Sequence, residues 1–212
     1  MKRAGITFFD FTTKHHEGFS MYDTATRVHD CWELDLSPGA KAVKGIKPCL
    51  PKAPGDAFDQ PDGIAYSSME AFGRDVTGEL VAAARKGGII PGLYFSNIDW
   101  FDPDMRIDQW NAVAASGKLC DGQPCDPKLY NMTTNPEQWR RFILRHRAQV
   151  LEVLTKYGEI CEASFDMDFP ALADDDMEDT FMLARQLAPN TLFRGRGMGG
   201  KREDGGYGDY DT

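Results

Sequence analysis

The feature of this sequence that most constrains its fold is the alternation of short apolar runs with amphipathic helical patterns. The predicted strands cover residues 6–11, 89–96, 160–165 and 191–193, and the predicted helices cover residues 76–86, 136–157 and 176–187. Strands that are separated by helices and are apolar throughout are typical of a parallel sheet covered by helices. We therefore expect an α/β fold of one domain.

The helix boundaries carry clear capping signals. Asp75 is the predicted N-cap of the first helix, and Gly87 and Gly88 are its predicted stop. One side of that helix carries Leu80, Val81 and Ala84, which we expect to be buried. The longest helix begins at Asn135-Pro136-Glu137, which is a cap followed by proline at the first helical position, and Gly158 ends it.

Two architectures fit this order of elements, a doubly wound open sheet and a closed (β/α)₈ barrel. A closed barrel takes about 250 residues, whereas the chain has 212, so a barrel would have to be incomplete. The segments 30–73 and 97–134 are rich in proline, glycine and aspartate and are predicted to be binding loops. Both architectures place the active site at the carboxyl ends of the strands.

Composition excludes several classes of partner. A net charge of -9 and a pI near 4.9 argue against nucleic acid, because phosphate backbones require clustered lysine and arginine. No apolar run approaches the roughly 20 residues of a membrane span, and the start of the chain does not resemble a signal peptide. We expect a small or neutral substrate, and a cytoplasmic protein if the chain is complete.

Five cysteines form neither a zinc ribbon nor a CxxC redox pair. Cys120 and Cys125 flank a turn, so they form either a small disulfide loop or two surface thiols. Cys161 lies in an apolar run and is expected in the core.

Polar side chains lie at or just after the carboxyl end of each predicted strand. They are His15 and His16, Tyr94 and Ser96, Asp166 and Asp168, and Arg194 and Arg196. The period of two places Asp166, Ser164 and Glu162 on one face of the third strand and Phe165 and Ala163 on the other. A carboxylate, two imidazoles, a phenol and a guanidinium at one edge suit a polyhydroxylated ligand.

Structural explanations compete with this interpretation. Asp166 and Asp168 are also good turn and helix-start residues. Neighbouring histidines share a ligand only if the strand has ended by His15, because a regular strand points them to opposite faces. His146 lies near the apolar stripe of the long helix and is interpreted as packing.

Two short motifs point to other chemistries. Residues 195–200 match G-x-G-x-x-G, but no apolar helical pattern follows to place a helix N-terminus at a phosphate. Phe165-Asp166-Met167-Asp168 resembles the D-x-D motif of Mg²⁺-dependent phosphatases of the haloacid-dehalogenase type and of some glycosyltransferases. Phe169 and Pro170 then depart from the phosphatase pattern.

Several blocks together resemble the α-L-fucosidases, family 29 of the glycoside hydrolases. Residues 11–19, FTTKHHEGF, resemble that family's L-T-x-K-H-H-D-G-F block, and residues 92–96, GLYFS, resemble its G-L-Y-Y-S strand. Residues 154–166 resemble the approach to its W-F-D-G nucleophile, and residues 208–212 resemble the start of G-D-Y-x-T-P-E. Ser164, Met167 and Phe95 depart from the pattern, and no H-W-G or E-W segment is present.

The resemblance implies a retaining exo-glycosidase that removes terminal α-L-fucosyl residues from glycans. Asp166 would be the nucleophile, while His15, His16, Tyr94, Trp100 and Arg196 would bind the sugar. The acid/base is not identified, and Glu203 is the only glutamate downstream of residues 174–178, where the last predicted helix starts. The implied fold is a parallel (β/α)₈ TIM-like barrel of which residues 1–212 form about strands 3 to 6.

The resemblance implies no metal or other cofactor, and a fucosylated glycan or glycoside as the partner molecule. Relatives of this kind are secreted, periplasmic or lysosomal. A Mg²⁺-dependent phosphatase and a sugar-binding or inactive barrel fragment remain alternatives.

Overall fold

The computed structural model describes residues 2–27, 65–99, 101–102, 136–166, 174–196, 198 and 208–210. A 3-10 turn at Lys2–Ala4 precedes the regular elements. These are β1 (Phe8–Lys14), α1 (Ser68–Phe72), α2 (Val76–Lys86), β2 (Ile90–Ser96), α3 (Pro136–Lys156), β3 (Glu162–Asp166), α4 (Asp174–Leu187) and β4 (Leu192–Arg194). No helix within these ranges is both long and apolar enough to cross a membrane.

The four strands form one parallel sheet in the order β1-β2-β3-β4. The predicted parallel α/β sheet is therefore confirmed. Each strand lies beside its neighbour in the sequence, so all the carboxyl ends meet at one edge of the sheet. The register pairs Tyr94 with Ser164, and Ser96 with Asp166. The sequential order and the continuous register of β2 with β3 bring the polar strand ends together.

The first strand is longer than the apolar run predicts. It spans Phe8–Lys14 instead of residues 6–11, because Lys14 pairs with Phe95 and the Thr13 hydroxyl donates to the Tyr94 carbonyl oxygen at 2.7 Å. An irregularity in register lies between Thr12 and Lys14. The polar residues predicted to follow the strand therefore form its last part.

Smaller corrections concern the other element ends. The second strand starts at Ile90 instead of Ile89, the third spans Glu162–Asp166 instead of 160–165, the fourth spans Leu192–Arg194 instead of 191–193, and α4 starts at Asp174 instead of Asp176. Backbone pairing with a neighbouring strand sets the strand ends, whereas the apolar run reports only burial.

The two faces of the sheet have different roles. Leu93, Phe95, Ala163, Phe165 and Phe193 pack in one core with the buried side chains of α2, α3 and α4. The opposite face carries the alternate residues, where the Ser164 hydroxyl donates to Glu162 Oε1 at 2.8 Å. The predicted division of the third strand into two faces is confirmed.

Helix α2 follows its predicted caps. The Asp75 carboxylate accepts from the backbone N–H of Gly78 at 2.8 Å and from the Tyr157 hydroxyl at 2.9 Å, and Gly87 is the C-cap. Val81 and Ala84 are buried as predicted, but Leu80 is exposed. The inward side of the helix runs through Thr77, Val81 and Ala84, and Leu80 lies beside it.

Three further predictions concern the long helix and the cysteines. Helix α3 begins at Pro136 as predicted, while its cap Asn135 lies outside the described residues. Cys161 is a free thiol of intermediate exposure and precedes β3 instead of lying in the core. Its position at the amino end of the strand accounts for the difference. Cys120 and Cys125 lie outside the described residues.

Phe181 of α4 tests the packing of this core. It is fully buried and contacts the Phe165 ring at a centroid distance of 5.5 Å. We expect Phe181→Ala to lower the free energy of unfolding by about 3–5 kcal/mol, because a buried cavity replaces the ring. Urea denaturation followed by circular dichroism measures the change.

The next residue provides the matched control. Met182 lies on the same helix with 45% of its surface exposed, so Met182→Ala should change the free energy by less than about 1 kcal/mol. Equal losses in the two variants would contradict the assigned inward face of α4.

Candidate active site

Asp166 is the carboxylate at the centre of the strand-end edge. It is the last residue of β3, and its side chain is only 11% exposed. Oδ2 accepts a hydrogen bond from the Tyr94 hydroxyl at 2.6 Å, and Oδ1 lies 2.8 Å from Arg196 Nε. The carboxylate is thus held from two sides in one orientation.

Tyr94 reaches Asp166 because of the register between β2 and β3. Residues Tyr94 and Ser96 lie on the same face as Ser164 and Asp166. Burial, followed by the hydrogen bond to Asp166, raises the pKa of the Tyr94 hydroxyl. The phenol therefore stays protonated at neutral pH and remains a donor to the carboxylate.

The two histidines lie in a tight turn, residues 14–18, which we name the histidine turn. The strand ends at Lys14, and the Gly18 N–H donates to the His15 carbonyl oxygen at 2.9 Å. The two imidazole centroids are 4.1 Å apart, and the His15 ring stacks on Tyr94 at 5.8 Å. The condition for both rings to reach one ligand is therefore met.

The contacts of Ser96 lead us to expect one tautomer of His16. The Ser96 hydroxyl lies 3.2 Å from the Ile98 carbonyl oxygen and forms a short hydrogen bond with His16 Nδ1. When its single hydrogen is donated to Ile98, the hydroxyl accepts from Nδ1. Burial and the neighbouring His15 lower the pKa of His16, against the opposing effect of Asp166. A neutral ring with its hydrogen on Nδ1 has an acceptor at Nε2.

The structure brings together most of the residues predicted for the site. His15, His16, Tyr94, Asp166 and Arg196 lie at one edge. Arg194 pairs with Ser164, which lies two residues before Asp166 in β3. Trp100, Asp168 and Glu203 lie outside the described residues. The catalytic and binding role of each residue stays a prediction.

A buried polar network behind this edge was not predicted. The Lys14 ammonium contacts Asp99 and Gln149, and His146 Nε2 lies 3.0 Å from Asn97 Oδ1. His146 packs between Phe95 and Phe142 as interpreted, and it also forms this hydrogen bond. A lysine directly after an apolar strand and an aspartate after the next strand were the available signals.

Two open grooves lie at the opposite edge of the sheet. One, of about 470 Å³, is lined by residues at the amino ends of β2 and β3, including Ile90 and Cys161. The other, of about 340 Å³, lies between the end of α3 and the start of β4. Neither contains a residue of the histidine turn. Within the described ranges, no three histidine, cysteine or acidic residues are grouped as a metal site.

The arrangement suits attack on a neutral, hydroxyl-bearing molecule. An oriented carboxylate can act as a nucleophile or base. The neutral His16 ring can accept from a hydroxyl, and Arg196 can donate. Paired donors and acceptors of this kind discriminate between hydroxyl configurations.

Comparison with known proteins gives a consistent result. The family model described as Alpha-L-fucosidase matches residues 58–212. A Caenorhabditis elegans protein named "Putative alpha-L-fucosidase" is 28% identical over 159 residues, which are 74% of this chain and 20% of that protein. Tissue alpha-L-fucosidase of Macaca fascicularis is 26% identical over 133 residues, which are 62% of this chain and 20% of that protein.

Solved structures resemble the fold over most of the chain. An alpha-L-fucosidase from Lactobacillus casei in complex with alpha-L-fucose product is 27% identical, with a TM-score of 0.59 over 92% of this chain and 48% of its own. An alpha-L-fucosidase from Bacteroides thetaiotaomicron has the same fold, with a TM-score of 0.64 at 22% identity, over 99% of this chain and 37% of its own. The two curated relatives described above are longer, and the chain spans about a fifth of their length.

The tautomer of His16 can be measured directly. We expect this ring to be neutral at pH 6.5 and to carry its hydrogen on Nδ1, because burial disfavours its charge and Ser96 accepts only at that nitrogen. Long-range ¹H–¹⁵N spectra of the imidazoles report both properties. As the pH falls, protonation should occur below the ordinary value of 6.5.

Ser96→Ala serves as the comparison. It removes the acceptor at Nδ1, so the ring should show a mixture of tautomers. An Nε2–H ring in the unaltered protein, or titration above pH 6.5, would contradict the assignment.

Proposed function

The chain belongs to the alpha-L-fucosidase family, and from this premise we propose that it is a retaining exo-glycosidase that hydrolyses terminal α-L-fucosyl residues. Its substrate is a fucosylated glycan or glycoside. The observation that carries the proposal is the buried carboxylate of Asp166, held between Tyr94 and Arg196 at the carboxyl ends of the strands.

The proposed reaction uses Asp166 as the nucleophile. One carboxylate oxygen attacks the anomeric carbon while the bond to the leaving oxygen breaks, and a second carboxylic acid donates its proton to that oxygen. Water then hydrolyses the fucosyl ester, with the second group acting as base, so the configuration is retained. Glu203 is the sequence candidate for this acid/base and lies outside the described residues.

The other residues of the edge are proposed to bind the sugar. Arg196 donates to Asp166 while 57% of its side chain is exposed, so the guanidinium can also reach a ligand. His15, His16 and Tyr94 surround the same carboxylate. Trp100 is proposed as an aromatic contact, because one face of a sugar is apolar.

The proposed domain is part of a catalytic TIM-like barrel, with residues 1–212 forming about strands 3 to 6. The sequential strand order supports this, since a doubly wound sheet reverses its order. The face that carries Asp166 also exposes apolar residues near the other edge, with Ile90 54% and Leu192 55% exposed. In a closed barrel such residues fill the interior.

The two alternatives differ in what they require. A D-x-D phosphatase needs Mg²⁺ at Asp166 and Asp168, so EDTA would abolish its activity. A sugar-binding or inactive fragment would bind L-fucose without turnover. Release of nitrophenol from the α-L-fucoside in the presence of EDTA separates these two outcomes from the proposed hydrolase.

Replacement of Asp166 tests the nucleophile. We expect Asp166→Ala to lower kcat for nitrophenyl α-L-fucoside by roughly 10⁴-fold or more, because no covalent intermediate can form. Added azide should restore turnover of this variant and give a fucosyl azide of inverted configuration. The configuration of the product can be read by proton NMR.

Asp23 supplies a control carboxylate. It forms an ion pair of 2.8 Å with Lys156 on the surface, so Asp23→Ala should keep its activity. An active Asp166→Ala variant without azide would exclude Asp166 as the nucleophile.

Replacement of Tyr94 tests the orientation of the carboxylate. Tyr94→Phe removes only the hydroxyl that donates to Asp166, and a hydrogen bond to a charged group contributes about 1.5–3 kcal/mol. We expect kcat/KM to fall by about 10- to 100-fold with the denaturation midpoint little changed. An unchanged kcat/KM would show that the hydroxyl does not act on the reaction.

A further inference from the structure

The Lys14 side chain is an unusual component of this sheet. It is the last residue of β1 and directly precedes the two histidines, yet it is 0% exposed. Its ammonium lies 3.0 Å from Asp99 Oδ2, 3.0 Å from Gln149 Oε1 and 4.6 Å from the centroid of the Phe95 ring. The charge therefore lies on the core side of the sheet, behind the histidine turn.

Asp99 contacts both ends of the histidine turn. Oδ2 binds Lys14, and Oδ1 accepts from the backbone N–H groups of Phe101 at 2.9 Å and Asp102 at 2.8 Å. Gly18, with a φ of +84°, approaches so closely that an added Cβ would lie 2.1 Å from Oδ1. The first and last residues of the turn thus close around one carboxylate.

The same ion pair fixes the partner of His16. Lys14 pairs in register with Phe95 and lies over its ring, and Phe95 precedes Ser96, the hydrogen-bond partner of His16. Asp99 holds the chain just beyond Ser96 through its backbone hydrogen bonds. Both sides of the His16–Ser96 contact are therefore anchored by one pair of buried charges.

Stability alone does not account for this pair. Removing two charges from water costs several kcal/mol, and apolar residues of similar volume often stabilise a fold as well or better. A buried ion pair does hold two chain segments at a fixed distance from each other. Here those segments are the loops after β1 and β2, which carry the predicted sugar contacts.

We propose that Lys14 and Asp99 are positioning residues whose ion pair holds the histidine turn against the end of β2. The pair sets the orientation of His16 toward a ligand hydroxyl at Asp166. The inference rests on the proposed function for the identity of that ligand. The geometry of the turn itself can be measured without turnover.

The test compares single and double variants of the full 212-residue chain. Lys14→Met and Asp99→Asn each leave one buried charge without its counterion, so each should lower the urea midpoint. Lys14→Met/Asp99→Asn removes both charges. The amide oxygen at position 99 can still accept from the two backbone N–H groups, so much of the midpoint should return.

The decisive measurement is the ¹H–¹⁵N spectrum and titration of His16 in the double variant. We expect the Nδ1–H tautomer to be lost and the pKa to rise toward its ordinary value, because a released ring gains access to water. The groups that face His16, namely His15, Glu17, Asp166 and Arg196, are unchanged. The double variant also keeps the net charge.

A second buried ion pair provides the matched control. Arg145 donates to Asp102 through Nε and Nη2 at 2.7 Å each, and this pair joins α3 to the loop after β2. Asp102→Asn keeps the backbone N–H that donates to Asp99. Arg145→Met/Asp102→Asn should alter stability while the His16 spectrum is retained. If both double variants lose the Nδ1–H signal of His16, the cause is a general loss of rigidity of the fold, and the proposal is overturned.

Binding of L-fucose completes the experiment. We expect the Lys14→Met/Asp99→Asn protein to bind L-fucose at least about tenfold more weakly than the unaltered chain, since His16 no longer presents its acceptor. A folded double variant with an unaltered His16 spectrum would refute the positioning role. Failure of the unaltered chain to bind L-fucose would instead count against the proposed function, and the histidine measurements would still decide the present inference.

Discussion

Strand β2 is the constraint on which the rest of this structure depends. It pairs in parallel with β1 on one side and β3 on the other, so its register sets where the residues of both neighbours lie along the strand direction. Its alternate residues Leu93 and Phe95 enter the core, while Tyr94 and Ser96 reach Asp166 and His16. The packing that stabilises the sheet therefore also fixes the distances in the candidate site.

The elements could be predicted from sequence because their signals are local. The apolar runs, the Asp75 cap and the proline at the start of α3 all act within a few residues. The extension of β1 to Lys14 could not be predicted in this way, since it depends on pairing with Phe95 in another strand. The burial of Lys14 likewise requires Asp99 and Gln149, which are distant in sequence.

The proximity of the predicted site residues follows from simple geometry, while their roles stay predictions. In a parallel sheet, the carboxyl ends of neighbouring strands lie at one edge, so the approach of His15, His16 and Tyr94 to Asp166 follows from strand order. The sequence could not show which atoms form hydrogen bonds, because these bonds depend on side-chain direction and on the turn at Gly18. Only the three-dimensional structure shows that Asp99 contacts Lys14 and Gly18, the two ends of that turn.

The charges around Asp166 are divided between the two sides of the sheet. On the ligand side, the protonated Tyr94 and the neutral His16 present hydrogen-bonding groups without charge. On the core side, the Lys14 cation is neutralised by Asp99 at 3.0 Å, so its field toward the ligand is small. In the proposed reaction, a neutral sugar would meet one carboxylate and its arginine, and charge would develop only as the glycosidic bond breaks. We infer that a buried ion pair behind the site, instead of within it, holds the histidine turn without binding the ground state of the proposed reaction more tightly.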